Sequence, residues 1–195
     1  MTASAADLKA ELRRAALARR RAAPPGVRAR LTARLLEEGV RMARAWRPAV
    51  VAGFYPIREE PDLLALLAAL AQQGFEVALP VVSGRGGGLD FRLWRPGEPT
   101  ALGRMGIPEP LAEAPLVDPD LLFVPLACFD RRGRRIGYGA GYYDRSLARL
   151  RALKTIRAVG VAYAVCETAA APYEAHDQNL DAIVTDEETI FVSER

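Results

Sequence analysis

Phe129-Asp-Arg-Arg-Gly-Arg-Arg-Ile-Gly-Tyr-Gly-Ala-Gly-Tyr-Tyr-Asp-Arg-Ser-Leu147 is the stretch on which the reading of this chain turns. An apolar run, Asp120-Leu-Leu-Phe-Val-Pro-Leu-Ala-Cys128, leads into it and has the composition of a buried strand. After it, Leu147, Leu150 and Leu153 recur at helical spacing through Arg145–Lys154. The order is therefore strand, glycine-rich loop, helix start. Gly137, Gly139 and Gly141 alternate, so the backbone can turn left-handed or approach a ligand without a Cβ in the way. Successive N–H groups in such a loop, with a helix N-terminus behind them, make a cradle for an anion. Arg131, Arg132, Arg134 and Arg135 stand just before the cradle, and Asp144 just after it. A carboxylate beside bound phosphate suits a hard cation such as Mg²⁺.

Two familiar phosphate motifs are excluded. A P-loop needs G-x-x-x-x-G-K-[ST], and no lysine stands between Lys9 and Lys154. The dinucleotide fingerprint is G-x-G-x-x-G, whereas the spacing here is G-x-G-x-G. The competing reading is a plain surface turn between a strand and a helix.

Working outward, residues 4–22 read as a helix with Leu8, Leu12, Ala15 and Ala16 on one face. Ala22-Ala-Pro-Pro-Gly26 breaks it, and a second helix over 27–46 places Val27, Leu31, Leu35 and Met42 on its apolar face. Strands are expected at 49–55, 75–82, 89–94, 120–128, 156–163, 182–185 and 189–193. Helices fall between them at 63–73, with Pro61 in the first turn, at 145–154, and briefly near 166–171. Ser83–Gly88 is expected as a tight loop. Alternating strands and helices predict an α/β fold: three layers, α/β/α, with a mainly parallel central sheet and the N-terminal helical pair packed on it. Residues 1–195 read as a single domain. The loops at 56–62, 83–88, 129–144 and 164–181 all follow strands, so they are expected to converge on one site.

Composition narrows the field. Half the residues are hydrophobic and about a quarter charged, ordinary for a globular protein. One histidine, His176, rules out a histidine-rich metal site. Cys128 and Cys166 lack C-x-x-C spacing and sit in apolar surroundings, which reads as buried thiols in a reducing compartment. No secretory h-region is visible, and Leu63–Ala71 is too short an apolar run to span a bilayer, so a cytoplasmic location is expected. Residues 1–47 carry a net charge of +8 and the remainder −5. A basic arm can serve nucleic acid, phosphate or only solvent. The two basic helices lack the interleaved aromatics of a single-strand binder.

Several features together are more specific than any alone. They are Lys9 and Arg13 on the first helix, Glu60-Pro-Asp62 after the first strand, and Gly106-Ile-Pro-Glu-Pro110. Phe129-Asp-x-x-Gly133 then runs into Gly137-Tyr-Gly-Ala-Gly-Tyr-Tyr-Asp-Arg145, and His176-Asp-x-x-Leu-Asp181 follows. In order and spacing the chain resembles the 5-formyltetrahydrofolate cyclo-ligase family over nearly its whole length. The resemblance implies ATP as co-substrate, Mg²⁺, and phosphorylation of the formamide oxygen of 5-formyltetrahydrofolate. Attack by N10 then gives 5,10-methenyltetrahydrofolate, ADP and phosphate.

It also implies site residues. Lys9, Arg13, Arg135, Gly137, Gly139, Ala140, Gly141, Tyr142 and Tyr143 would hold ATP. Ile57, Asp62, Met105, Tyr138 and Tyr142 would line the folate site, and Asp144 and Asp181 would hold Mg²⁺. Arg135, Tyr143 and Asp144 would act in catalysis. The local chemistry keeps other readings open: a solvated basic face for Lys9 and Arg13, a helix-start charge for Asp62, a turn residue for Asp181. His176 reads as a structural loop residue. Many members carry Arg where this chain has Tyr138, with Arg134 or Arg135 near enough to compensate, and an aromatic residue where it has Met105. The expected working form is a monomer acting without nucleic acid or membrane. The alternatives are a related ATP-dependent enzyme acting on another small substrate, and a nucleic-acid-binding protein using the basic helices.

Overall fold

The computed structural model of the chain describes residues 4–82 and 87–192. The segment 83–86 of the expected tight loop and Ser193 of the expected last strand lie outside the described residues.

Helix α1 (Ala5–Arg21) starts where its sequence says it should: Ser4 and Asp7 exchange side-chain and backbone hydrogen bonds as a capping box. Its buried side is the predicted apolar one only in part: Ala16 is buried and Leu12 packs against the core, whereas Leu8 is 41% exposed and the buried stripe also takes in Arg20. Lys9, Arg13, Ala16 and Arg20, spaced four, three and four residues apart, form the inner stripe. Helix α2 (Pro25–Trp46) opens on a proline, which suits a first turn whose N–H has no partner to lose. Val27, Leu31, Leu35 and Met42 are all buried, as the spacing predicts. At Gly39 a Cβ would lie 2.5 Å from the Leu66 side chain, so this glycine lets α2 seat closely on α3 (Leu64–Gln72). Pro61 stands before α3 rather than in its first turn, and Asp62 Oδ1 accepts the Leu64 N–H at 2.9 Å.

The main sheet holds β1 (Val50–Ala52), β2 (Glu76–Val82), β3 (Leu89–Leu93), β6 (Leu116–Val117), β7 (Leu121–Pro125), β10 (Arg157–Val161), β11 (Ala182–Val184) and β12 (Thr189–Phe191). Their order is β12-β11-β10-β7-β1-β2-β3-β6. The five strands β11, β10, β7, β1 and β2 run parallel; β12 pairs antiparallel at one edge, and β3 and then β6 add antiparallel pairings at the other. The inner strands are covered on both faces, which is why Val50–Ala52, Leu121–Val124 and Ala182–Val184 are apolar without alternation. Each fully buried Leu or Phe in such a core contributes about 1.5–3 kcal/mol. Two hairpins stand outside the sheet, β4 (Thr100–Leu102) with β5 (Pro108–Pro110) and β8 (Cys128–Phe129) with β9 (Arg135–Ile136).

The strand order creates the site. From β1 the chain crosses through α3 to β2 on one side; from β7 it crosses through α4 (Tyr142–Leu153) to β10 on the other. Right-handed crossovers in opposite directions put α3 and α4 on opposite faces. A crevice therefore opens beyond the carboxyl ends of β1 and β7, the place where ligands of such sheets bind. No helix among the described residues is long and apolar enough to cross a membrane.

Candidate active site

The loop after β8 explains its own sequence. Asp130 is 1% exposed, and its carboxylate accepts the N–H groups of Arg132, Arg134 and Ala171. It closes a tight turn in which Gly133 takes φ 78°, and a Cβ there would lie 2.6 Å from the Leu180 carbonyl oxygen. Asp-x-x-Gly is thus the hub that fixes where β9 leaves and where the glycine loop begins. Gly139 and Gly141 both have positive φ, and Gly141 is the residue from which α4 starts. Arg145 donates to the Ala140 carbonyl and lies over the Tyr142 ring, closing the loop from the helix side.

A cleft of about 460 Å³ lies at the switch point. One wall is the loop Gly137–Tyr143 with Arg135 and Asp144, met by Lys9 and Arg13 from α1. Arg13 Nε donates to the Gly137 carbonyl at 2.6 Å, which ties the helix to the loop across the cleft. The facing wall is apolar: Phe54, Tyr55 and Ile57 after β1, Val82 and Leu89 from the β2–β3 ribbon, and Met105, Ile107 and Pro108 from the β4–β5 hairpin. At the inner end sits Glu60, 3% exposed, accepting the Ile57 N–H at 3.0 Å. Burial pushes the Glu60 carboxyl above its ordinary range, while the Ile57 N–H, the Tyr138 hydroxyl and the charges of Arg20 and Arg58 pull it back.

Two buried donors in the wall lack partners, Arg135 Nε and the Tyr143 hydroxyl. An unsatisfied buried polar group costs about 1–3 kcal/mol, so such groups mark where a ligand completes the set. Burial raises the Tyr143 phenol, which keeps it a proton donor. Arg135 Nη2 reaches Asp144 Oδ1 at 2.8 Å; burial works against its charge and Asp144 offsets that. On the far rim, Lys9 Nζ bridges Glu174 at 2.8 Å and Asp177 at 2.6 Å. Burial opposes the Lys9 ammonium, yet these two carboxylates hold it above its ordinary range. Ligand atoms of Glu174, His176 and Asp177 lie within 4.8 Å of one another.

Thirteen of the fifteen residues expected from the sequence line this cleft; Asp62 and Asp181 do not. Asp62 is exposed and caps α3. Asp181 precedes β11, at the opposite end of the sheet, where its carboxylate accepts the Ala158 N–H at 2.7 Å and pairs with Arg151 and Arg157. Besides Asp144, the carboxylates that line the cleft are Glu60, Glu109, Glu174 and Asp177. Glu60 and Asp177 were within reach of sequence reasoning. Ligands lie past the ends of strands, and Asp181 comes immediately before one. Of the two arginines named beside Tyr138, Arg134 lies over the Tyr173 ring, and Arg135 lines the cleft and pairs with Asp144. Cys128 is pushed up to about 11 by burial and Cys166 is also raised, so neither is a poised thiolate nucleophile.

A doubly wound α/β domain with a glycine-rich anion cradle and an apolar chamber in its switch-point crevice defines a phosphate-handling enzyme of small molecules. A profile of the 5-formyltetrahydrofolate cyclo-ligase family matches residues 5–186, and the chain belongs to that family. It is 33% identical to a 5-formyltetrahydrofolate cyclo-ligase of Mycolicibacterium smegmatis over 77% of this chain and 80% of the relative. It is 35% identical to the protein of that name in Escherichia coli K12 over 69% of this chain and 76% of the relative. Among solved structures, the Aquifex aeolicus 5,10-methenyltetrahydrofolate synthetase superposes with a TM-score of 0.81 at 29% identity, covering 96% of this chain and 94% of that one. A Mycoplasma pneumoniae 5,10-methenyltetrahydrofolate synthetase shares the fold, with a TM-score of 0.70 at 20% identity over 91% of this chain and 98% of that one.

Proposed function

We propose that this chain closes 5-formyltetrahydrofolate to 5,10-methenyltetrahydrofolate and uses one ATP to do so. The observation that carries the reading is the meeting, in one cleft, of a basic anion cradle and an apolar chamber ending in a buried carboxylate. Lys9, Arg13, Arg135 and the loop Gly137–Tyr143 hold the triphosphate. Ile57, Met105, Tyr138 and Tyr142 enclose the folate, and Glu60 takes the place in that site which the resemblance implied for Asp62, accepting from the amino edge of the pterin. A carboxylate suits that edge because it accepts two N–H bonds at once.

The chemistry follows from what an amide lacks. A formamide oxygen is a poor leaving group. Transfer of the γ-phosphoryl group breaks its bond to ADP and forms a bond to the formyl oxygen. The N10 lone pair then attacks the formyl carbon, the N10 proton is released, and the oxygen departs with its electrons as phosphate. Arg135 and the Tyr143 hydroxyl supply donors where phosphoryl charge develops, and the loop holds the reactants in line. Asp144 and Asp177 are the carboxylates that would hold Mg²⁺, which neutralises triphosphate charge when bound. The donor set fits, because each carboxylate is already balanced by a cation of the protein, Arg135 or Lys9, that can turn to phosphate. The same reading takes residues 1–195 as one cyclo-ligase domain, a monomer working in the cytoplasm.

The alternative use of the basic helices as a nucleic-acid surface has little left to work with. Lys9, Arg13, Arg19, Arg20, Arg30 and Arg34 are engaged within the chain. The mechanism is tested by isotope. With ¹⁸O in the formyl group, the label should leave in inorganic phosphate. Unlabelled phosphate, with methenyl product formed, would contradict phosphorylation of that oxygen.

A further inference from the structure

The β4–β5 hairpin carries one stretch of the apolar wall, Met105, Ile107 and Pro108, yet little holds it in place. Thr100–Leu102 is exposed along its whole length, and in β5 only Pro110 is buried. A segment with so few buried contacts opens readily unless something pins it. Of the main-sheet strands, β2 is the one it lies against. There β2 overhangs its neighbour: pairing with β1 ends at Ala52 and Ala78, and β2 runs on to Val82. Ala78 accepts the Gly53 N–H, so Ala78, Pro80 and Val82 turn their backbone groups to the cleft side. Pro80 has no N–H to satisfy, which suits an unpaired edge. The Val82 N–H goes to Glu109 Oε1 at 3.3 Å, and among the described residues that is the one hydrogen bond the carboxylate makes.

Gly103 shows how closely that carboxylate is seated. The Gly103 N–H donates to the Ile107 carbonyl at 2.9 Å, and its own carbonyl accepts the Gly106 N–H at 2.9 Å, so Gly103 closes the hairpin turn. It is not among the glycines of positive φ, so its conformation does not demand a glycine. Space does. A Cβ there would lie 2.1 Å from the Glu109 carboxyl carbon and 2.2 and 2.4 Å from its two oxygens. The turn and the carboxylate are thus packed face to face, with the end of β2 on the carboxylate's other side. We propose that Glu109 is a positioning residue for the folate half of the site: its carboxylate joins the overhanging end of β2 to the β4–β5 hairpin and so holds Met105, Ile107 and Pro108 against the substrate. The inference rests on the cyclo-ligase reading for that substrate. The role calls for an acceptor at this place rather than for a charge, because the group it holds is a backbone amide.

Glu109→Ala should raise KM for 5-formyltetrahydrofolate about tenfold while kcat and KM for ATP stay within about twofold. Glu109→Gln keeps an acceptor oxygen and should stay within about twofold of the wild type. Gly103→Ala should behave like Glu109→Ala, because the end of a flexible side chain yields before the backbone does. In the Glu109→Ala background Gly103→Ala should add nothing, since its Cβ then meets no carboxylate. Amide hydrogen exchange, read residue by residue without folate or ATP, reports the seat itself. The Val82 and Gly106 amides should exchange at least about tenfold faster in Glu109→Ala and Gly103→Ala, and at the wild-type rate in Glu109→Gln. The Leu79 amide, inside β2, should not change. Unmoved Val82 and Gly106 amides, additive effects of the two substitutions, equal rises in both KM values, or a Glu109→Gln as impaired as Glu109→Ala would overturn the proposal. A wild-type protein that never turns over folate, with these amides still moving, would instead sink the cyclo-ligase reading and leave the seating of the hairpin standing.

Discussion

Asp177 and Asp181 are four residues apart and do unlike work, because one follows β10 on the cleft side and the other precedes β11 on the far side. Asp177→Asn should therefore abolish most Mg²⁺-dependent turnover, about a hundredfold or more if transition-state charge is involved. Asp181→Asn should keep turnover and lose stability, since Asp181 holds the Ala158 N–H and two arginines. Metal titration of turnover beside a thermal melt distinguishes them; the reverse pattern would return the metal to Asp181. Glu60 carries a second consequence. Its folded carboxyl is raised, so the folded chain binds that proton more tightly than the unfolded chain does. Its ionisation thus costs stability as pH rises from the ordinary carboxylate range through the raised value. The melting temperature of Glu60→Gln minus that of the wild type should accordingly grow between acid and neutral pH. A difference of about 1 kcal/mol reads as roughly 2–4 °C in a chain of this size. A gap that shrinks with rising pH would contradict the assignment.

The β8–β9 hairpin is where sequence pattern and geometry agree most closely. Its Asp-x-x-Gly turn gathers three backbone N–H groups onto one buried carboxylate and threads Gly133 under Leu180. Asp130→Ala should cost at least about 2 kcal/mol in a urea melt and weaken ATP more than folate, because the glycine loop loses its anchor. Unchanged stability would mean the hub is dispensable. The elements legible in the chain were those with a strong period or a long apolar run: α2, β2, β7 and β10. The first strand was read as 49–55, but pairing stops at Ala52; Gly53 bonds Ala78, and Phe54 and Tyr55 turn into the cleft. Function, not propensity, sets that end. Helix α1 buries Ala16 and packs Leu12 on the core as its apolar spacing predicts, but Lys9 and Arg13 share that inner side, because the helix's first half borders the cleft.

At the scale of the whole molecule, the order β10-β7-β1-β2 decides everything about where chemistry can occur. Local sequence signals say that strands and helices alternate; they do not say that the crossovers run in opposite directions. Residues such as Lys9 and Asp177, which the fold brings to 2.6 Å across 168 positions, are not paired by any local rule. The motif spacing could name the glycine loop and the basic helix, and so most of the cleft, but it could not rank carboxylates whose roles depend on which end of a strand they flank. The most direct test is the ultraviolet absorbance of the conjugated methenyl product when the purified chain meets 5-formyltetrahydrofolate, ATP and Mg²⁺, with each left out in turn. Product that appears only with all three is the predicted result. Product without ATP, or none with ATP bound and folate saturating, would contradict the cyclo-ligase account.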